Sequence, residues 1–139
     1  MNTNLMFSSQ TDNWATPRDF FDILNDEFGF NLDPCADDIN HKCDRYFTIK
    51  ENGLLQDWGN SIVFCNPPYG KVLKDWVRKC YESSRQGALV VMLIPARTDT
   101  SYFHDYIYGK AEIRFIRGRL KFGSSKNSAP FPSMLVIYR

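Results

Sequence analysis

Four consecutive residues, Asn66-Pro67-Pro68-Tyr69, carry the most legible chemistry in this chain. An amino group conjugated to a planar ring, such as N6 of adenine, is a weak nucleophile because its lone pair is delocalised. Two acceptors aimed at its two hydrogens return density to the nitrogen without a strong base. The Asn66 side-chain oxygen and the Pro67 main-chain carbonyl suit that task. Pro67 biases Asn66 toward an extended backbone, and two successive prolines hold both acceptors in place before anything binds. Tyr69 adds an aromatic face on which a base can stack, a contact worth roughly 1–3 kcal/mol. A base inside a duplex cannot reach such a site, so a duplex substrate must flip its target out. An isolated Pro-Pro usually does no more than end a strand. Here an asparagine precedes it, an aromatic follows it, and an apolar run leads into it.

That run, Ser61 to Cys65, reads as a strand buried on both faces. Ala88 to Ile94 is a second, more hydrophobic strand, stopped by Pro95. Between them a helix over roughly 71–85 places Val72, Leu73, Trp76, Val77, Cys80 and Tyr81 at helical spacing, and Gly87 ends it. Upstream, Thr16 is the expected N-cap of a helix with Pro17 in its first position and Asp19 in its first turn. Phe20, Phe21, Leu24 and Phe28 form its apolar face and Gly29 its close. Short strands are expected at 30–32 and 46–49, a loop over 35–44, and a turn at Glu51-Asn52-Gly53. A short helix fits 100–109. Segments 112–122 and 133–138 are strand-like and form an antiparallel hairpin at a sheet edge across a loop at 123–132. Helices alternating with buried strands predict an α/β domain built on a mostly parallel sheet. Ligands of such sheets sit beyond the carboxyl ends of the strands, where Asp33 and Asn66 both stand.

Composition sets the outer bounds. With 43% apolar and 15% aromatic residues, 139 residues make one domain with a proper core, the first dozen residues being flexible. With no long apolar stretch or signal-peptide pattern, a soluble, cytoplasmic protein with no membrane partner is expected. Four cysteines without a CxxC pair read as free, mostly buried thiols. Residues 1–70 hold 4 Lys/Arg against 11 Asp/Glu, and residues 71–139 hold 13 against 5. Such polarity suits a polyanion docking on one side. No phosphate-cradling glycine loop is present, which argues against a nucleoside triphosphatase. Cys35, His41 and Cys43 lack zinc-finger spacing and an obvious fourth ligand, so no metal is expected. His104 sits among Tyr102, Phe103 and Tyr106 and reads as a packing or surface histidine.

At these residues the chain resembles the DNA adenine-N6 methyltransferases, and most closely the small phage-type Dam family, over about residues 14–138. The resemblance implies a shortened Rossmann-like class I methyltransferase sheet, S-adenosylmethionine as cofactor and double-stranded DNA as partner. It gives Asn66, Pro67, Pro68 and Tyr69 the catalytic roles. Trp14-Ala15-Thr16-Pro17 looks like the segment that helps hold the cofactor's carboxylate. Asp33-Pro34-Cys35-Ala36 looks like the first cofactor motif, and Asp57 like the acid before the catalytic strand. Arg119, Lys121 and Phe122 resemble a segment near the target base, with Phe122 packing on it. Arg97, after the second central strand, could touch phosphate or pair with an acid.

Two departures stand out. The first cofactor motif contains no glycine, so close backbone approach falls to small residues such as Ala36. The interval from Asp33 to Asn66 is also short for two strands and their helices, which leaves Asp37 and Glu51 both open as the ribose-gripping acid. No room is left for a separate target-recognition domain, so sequence reading would fall to loops 97–104 and 123–132. The four-residue motif also fits N-methylation of RNA or of protein glutamine, and a nucleic-acid-binding relative that has lost catalysis would keep the fold.

Overall fold

The computed structural model describes residues 14–123 and 127–139. Helix α1 spans Arg18–Phe28 and α2 spans Leu73–Arg85. Four strands, β1 (Ile62–Cys65), β2 (Leu89–Pro95), β3 (Glu112–Phe115) and β4 (Ser133–Tyr138), form one sheet in the order β1-β2-β4-β3. Among the described residues no helix is long and apolar enough to cross a membrane. The expected flexibility of residues 1–12 lies outside the described residues, as does part of the 123–132 loop.

The α/β reading stands, but the sheet is mixed rather than mostly parallel. Only β1 and β2 form a parallel ladder; β4 runs antiparallel to both β2 and β3. The expected antiparallel pair of β3 and β4 does form at one edge of the sheet, but its inner strand, β4, also pairs antiparallel with β2. It inserts between β2 and β3, where all six of its residues are buried. Met134-Leu135-Val136-Ile137 is an unbroken apolar run, which an edge strand with a wet face does not need. The expected strands at 30–32 and 46–49 shrink to single parallel bridges, Leu32 to Val63 and Asp33 to Tyr46. Pro34 has no N–H with which to continue that pairing.

Register sorts the side chains onto two faces. Phe64, Val91 and Ile137 are cross-strand neighbours, and so are Val90 and Tyr138 on the opposite face. Helix α1 covers the first face, with Phe21 in edge contact with Phe64 at 5.1 Å. Helix α2 covers the second, with Tyr81 against Tyr138 at 6.0 Å. The result is a three-layer α/β/α unit with the sheet as its core.

Local chemistry explains most helix limits. Gly29 closes α1 in the left-handed conformation (φ 71°), as its lack of a side chain allows. The start of α1 differs from expectation. Pro17 occupies the cap position with no side-chain cap bond, because Thr16 stands one residue too early and its hydroxyl is used elsewhere. The expected helix at 100–109 contains a π-type turn over Phe103–Ile107, closed by Tyr108 N–H donating to the Phe103 carbonyl at 2.8 Å. The strand expected over 112–122 stops at Phe115. Past Ile116, which still donates to the Ser133 carbonyl, the chain turns along the carboxyl end of β2 and returns as β4.

Candidate active site at the carboxyl edge of the sheet

Strand β1 delivers Asn66 to the carboxyl edge of the sheet, half-buried, with its side chain on the face that α1 covers. Beside it opens a cavity of about 790 Å³, within the size range of small-molecule sites. Its wall includes Thr16, Asp33, Pro34, Cys35 and Ala36 from the amino-terminal half, and Asn66, Pro67 and Pro68 from the end of β1. The structure therefore brings most of the expected residues into one place.

The Asn66 amide is held at both ends. Its Nδ2 donates to the Thr16 hydroxyl at 2.9 Å and to the Trp14 main-chain carbonyl. Its Oδ1 accepts from the Tyr69 hydroxyl at 2.8 Å. That hydroxyl also lies 3.2 Å from the Leu93 carbonyl of β2. It has one proton and serves one acceptor at a time. Burial pushes the Tyr69 hydroxyl far above its ordinary pKa, so it stays a neutral donor.

Tyr69 is not the open stacking plate expected from its type. It is only 5% exposed, with Phe122 and Phe131 in edge contact at 6.4 and 5.6 Å. Trp14 completes the cluster, 5.6 Å from Phe122 and 5.1 Å from Phe131. A base that stacks on Tyr69 has to take the place of one of these rings. Phe122 thus reaches the site, while Phe131 gave no motif signal beyond its place in the return to β4.

Asp33 is buried, and its carboxylate is committed to the loop that follows. Oδ1 accepts from Cys35 N–H at 3.2 Å and Oδ2 from Lys42 N–H at 2.9 Å. Burial raises its pKa above the ordinary value, opposed by those two N–H donors. Asp33 thus shapes the 33–42 wall of the cavity from within. Asp37 lines the cavity and also caps a local turn through Ile39 and Asn40 N–H. Glu51 lies outside the lining and binds Thr48 instead, so of the two open acids Asp37 is the one at the cavity. Asp57 is exposed, away from the cavity, and accepts from Gly59 N–H at 2.8 Å. Pro17 stands behind Thr16, its carbonyl accepting the Phe21 N–H.

The remaining wall was missed by motif reading. Asn40, Lys42, Thr48, Ile49, Lys50, Asn52, Leu54, Val72 and Trp76 all line the cavity. One signal could have found part of it. Asn52 adopts a positive φ of 57° before Gly53, and its side chain caps Leu54 N–H at 3.1 Å. Strained turns of this kind gather at ligand sites. Cys35 lies 3.7 Å from Cys65 through their sulfurs, and burial pushes its thiol up to about 11, leaving an inert part of the wall. His41 is engaged elsewhere, stacked on Tyr46 at 4.0 Å.

Arg97, Arg119 and Lys121 are exposed, outside the cavity lining. They belong to the segments after β2 and between β3 and β4. Both segments leave the sheet at the edge where Asn66 stands, because β1, β2 and β3 point the same way. Gly123 N–H donates to the Ala15 carbonyl at 2.7 Å, which ties the basic segment to the amino-terminal strap.

Residues 3–139 match the family model described as DNA N-6-adenine-methyltransferase (Dam). The chain belongs to the Dam family. It is 32% identical over 111 residues to a DNA N-6-adenine-methyltransferase of Escherichia phage T1, covering 78% of this chain and 46% of the relative. It is 31% identical over 138 residues to a DNA N-6-adenine-methyltransferase of Haemophilus phage HP1, covering 94% of this chain and 80% of the relative. It thus spans a little under half the length of the first relative and four fifths of the second. Dam chemistry needs a methyl donor beside the acceptor, and the cavity adjoining Asn66 has room for one.

Proposed function

We propose that this Dam-family chain transfers a methyl group from S-adenosylmethionine to N6 of adenine in double-stranded DNA, on a base flipped out to Asn66-Pro67-Pro68-Tyr69. One observation carries the reading: the Asn66 amide stands at the end of β1 on the wall of a ligand-sized cavity, its nitrogen engaged and its oxygen turned the other way. The names of the phage relatives support the choice of adenine in DNA. The reading puts the protein at work in the cytoplasm of a bacterial host.

S-adenosylmethionine, when bound, supplies an electrophilic methyl group on a cationic sulfur. The cavity lining fits it chemically. Ile49, Leu54, Val72 and Trp76 offer apolar surface for an adenine ring, Asp37 and Asp38 offer acceptors for ribose hydroxyls and an ammonium, and Lys42 and Lys50 offer charge to a carboxylate. Asp33 to Ala36 form the floor that brings backbone close.

The chain's own residues prepare the acceptor. Asn66 Oδ1 and the Pro67 carbonyl accept the two N6 hydrogens and localise the lone pair on nitrogen. The Tyr69 O–H, which stays protonated, turns its hydrogen bond to the Leu93 carbonyl and leaves Oδ1 free for the incoming amine. Neither acceptor is basic enough to keep a proton, so the one that N6 sheds passes to water. Arg97, Arg119 and Lys121 hold phosphates around the flipped base, and Phe122 yields its place to it.

The test is incubation with labelled S-adenosylmethionine and unmethylated duplex DNA, followed by nucleoside analysis. Label is expected in N6-methyladenine. Asn66→Ala is expected to cost at least roughly 10²–10³-fold in transfer rate while leaving donor affinity and thermal melting near those of the parent. Label in RNA or protein alone would redirect the substrate. A calorimetric titration without donor binding would mark a non-catalytic relative.

A further inference from the structure

The Asn66 side chain works only if its oxygen, and not its amide nitrogen, meets the target amine. The two ends of an amide are almost the same size, so packing alone does not choose between them. Turned the wrong way, the Asn66 NH2 would face the NH2 of the substrate, donor against donor. Something in the site has to make that orientation unfavourable.

We propose that the amino-terminal strap Trp14–Thr16 orients the catalytic amide, with Thr16 as the positioning residue. Trp14 presents a main-chain carbonyl, which can only accept, to Asn66 Nδ2. A reversed amide would set oxygen against oxygen there. Thr16, 5% exposed, takes the second Nδ2 hydrogen at 2.9 Å. Together they occupy both donors of the amide and leave Oδ1 on the far side. The strap is itself anchored. The Trp14 ring packs on Phe122 and Phe131, and the Ala15 carbonyl accepts from Gly123 N–H. The same contacts join the strap to the basic segment that holds Arg119 and Lys121. This role explains why the Thr16 hydroxyl does not cap α1 although helix signals surround it. It also differs from holding the cofactor, the role that resemblance implies for this segment.

The inference rests on the methyltransferase reading, so one readout is independent of turnover. In nitrogen-15 spectra the Asn66 side-chain amide, assigned by its loss in Asn66→Asp, is expected to exchange its hydrogens more slowly than solvent-exposed asparagines. Thr16→Val removes the acceptor at nearly constant volume and is expected to speed that exchange. It should lower kcat by about 10- to 100-fold, with donor KM and titrated donor affinity within about twofold of the parent. Thr16→Ser restores the hydroxyl and is expected to recover both signals. A Thr16→Val enzyme that loses donor affinity at unchanged kcat would overturn the proposal and give Thr16 to the cofactor. Unaltered amide exchange in that variant would overturn it whether or not the parent methylates DNA. Absence of transfer by the parent would instead count against the methyltransferase reading alone.

Discussion

Asp33 carries a carboxylate where charge is costly. It is buried, and desolvation raises its pKa above the ordinary 3.8 despite two backbone N–H donors. A raised folded pKa means that its contribution to stability is full below pH 3.8 and is lost as pH rises through the folded value. Its two oxygens tie Cys35 and Lys42 into the loop that walls the cavity. Gly53 does related work from the other side. A Cβ there would run into the Pro34 carbonyl and the Trp76 ring. Gly53→Ala is therefore expected to destabilise the fold by about 1–3 kcal/mol. Its urea midpoint should drop, and donor affinity should fall with it because Pro34 and Trp76 both line the cavity. A parental midpoint would mean that the Asp33 loop and α2 can part freely.

At the scale of elements, α1 straps one face of the sheet. Its start lies at Asn66 through Thr16, and its end reaches β3 through Glu27. Arg114 of β3 grips Glu27 with two bonds, at 2.7 and 2.8 Å, and Glu112 with a third. Arg114 and Arg139 also lie over the Phe28 ring at 5.6 and 5.8 Å. The hydrogen bond from Arg114 is the main cause that lowers the carboxyl pKa of both Glu27 and Glu112. The sign follows from linkage. A depressed folded pKa gives stability that is present above the unfolded value of 4.5 and is lost as pH falls through the folded one. Arg114→Met is expected to flatten the loss of thermal stability below pH 4.5 and to weaken its salt dependence. Melting curves from pH 3 to 7 at low and high salt check this. An unchanged slope would show that other carboxylates dominate acid unfolding.

For the whole molecule, the relevant fact is where the basic half comes to lie. Arg97, Arg119 and Lys121 belong to segments that leave the sheet at the Asn66 edge, where the proposed function would have a duplex gripped beside its flipped base. Phosphate contacts release counterions, and affinity then falls linearly on a log–log plot against salt. Arg119→Ala and Lys121→Ala are each expected to reduce that slope by about 1 and to weaken binding evenly across DNA sequences. Fluorescence anisotropy with a duplex at several potassium chloride concentrations measures it. A slope unmoved by both changes would put the phosphates elsewhere on the chain.

The local pattern alone determined the tetrapeptide Asn66–Tyr69 as the candidate centre, the two parallel strands around it, both helices and the stop at Gly29. Those features depend on neighbours in sequence: apolar period, proline geometry and a glycine that can take positive φ. Three things were decided only in the folded chain. Strand β4 entered the middle of the sheet because its unbroken apolar run buries on both faces there, and local pattern does not name a strand's partners. Eight of the 23 cavity-lining residues came from positions 40–54, whose loop conformation is set by a buried carboxylate and a capped turn rather than by any period. The Asn66 amide meets Trp14 and Thr16, which lie 52 and 50 positions away along the chain. Their types suggested a cap and a cofactor contact. Only the meeting of the strap with the end of β1 turned them toward the amide.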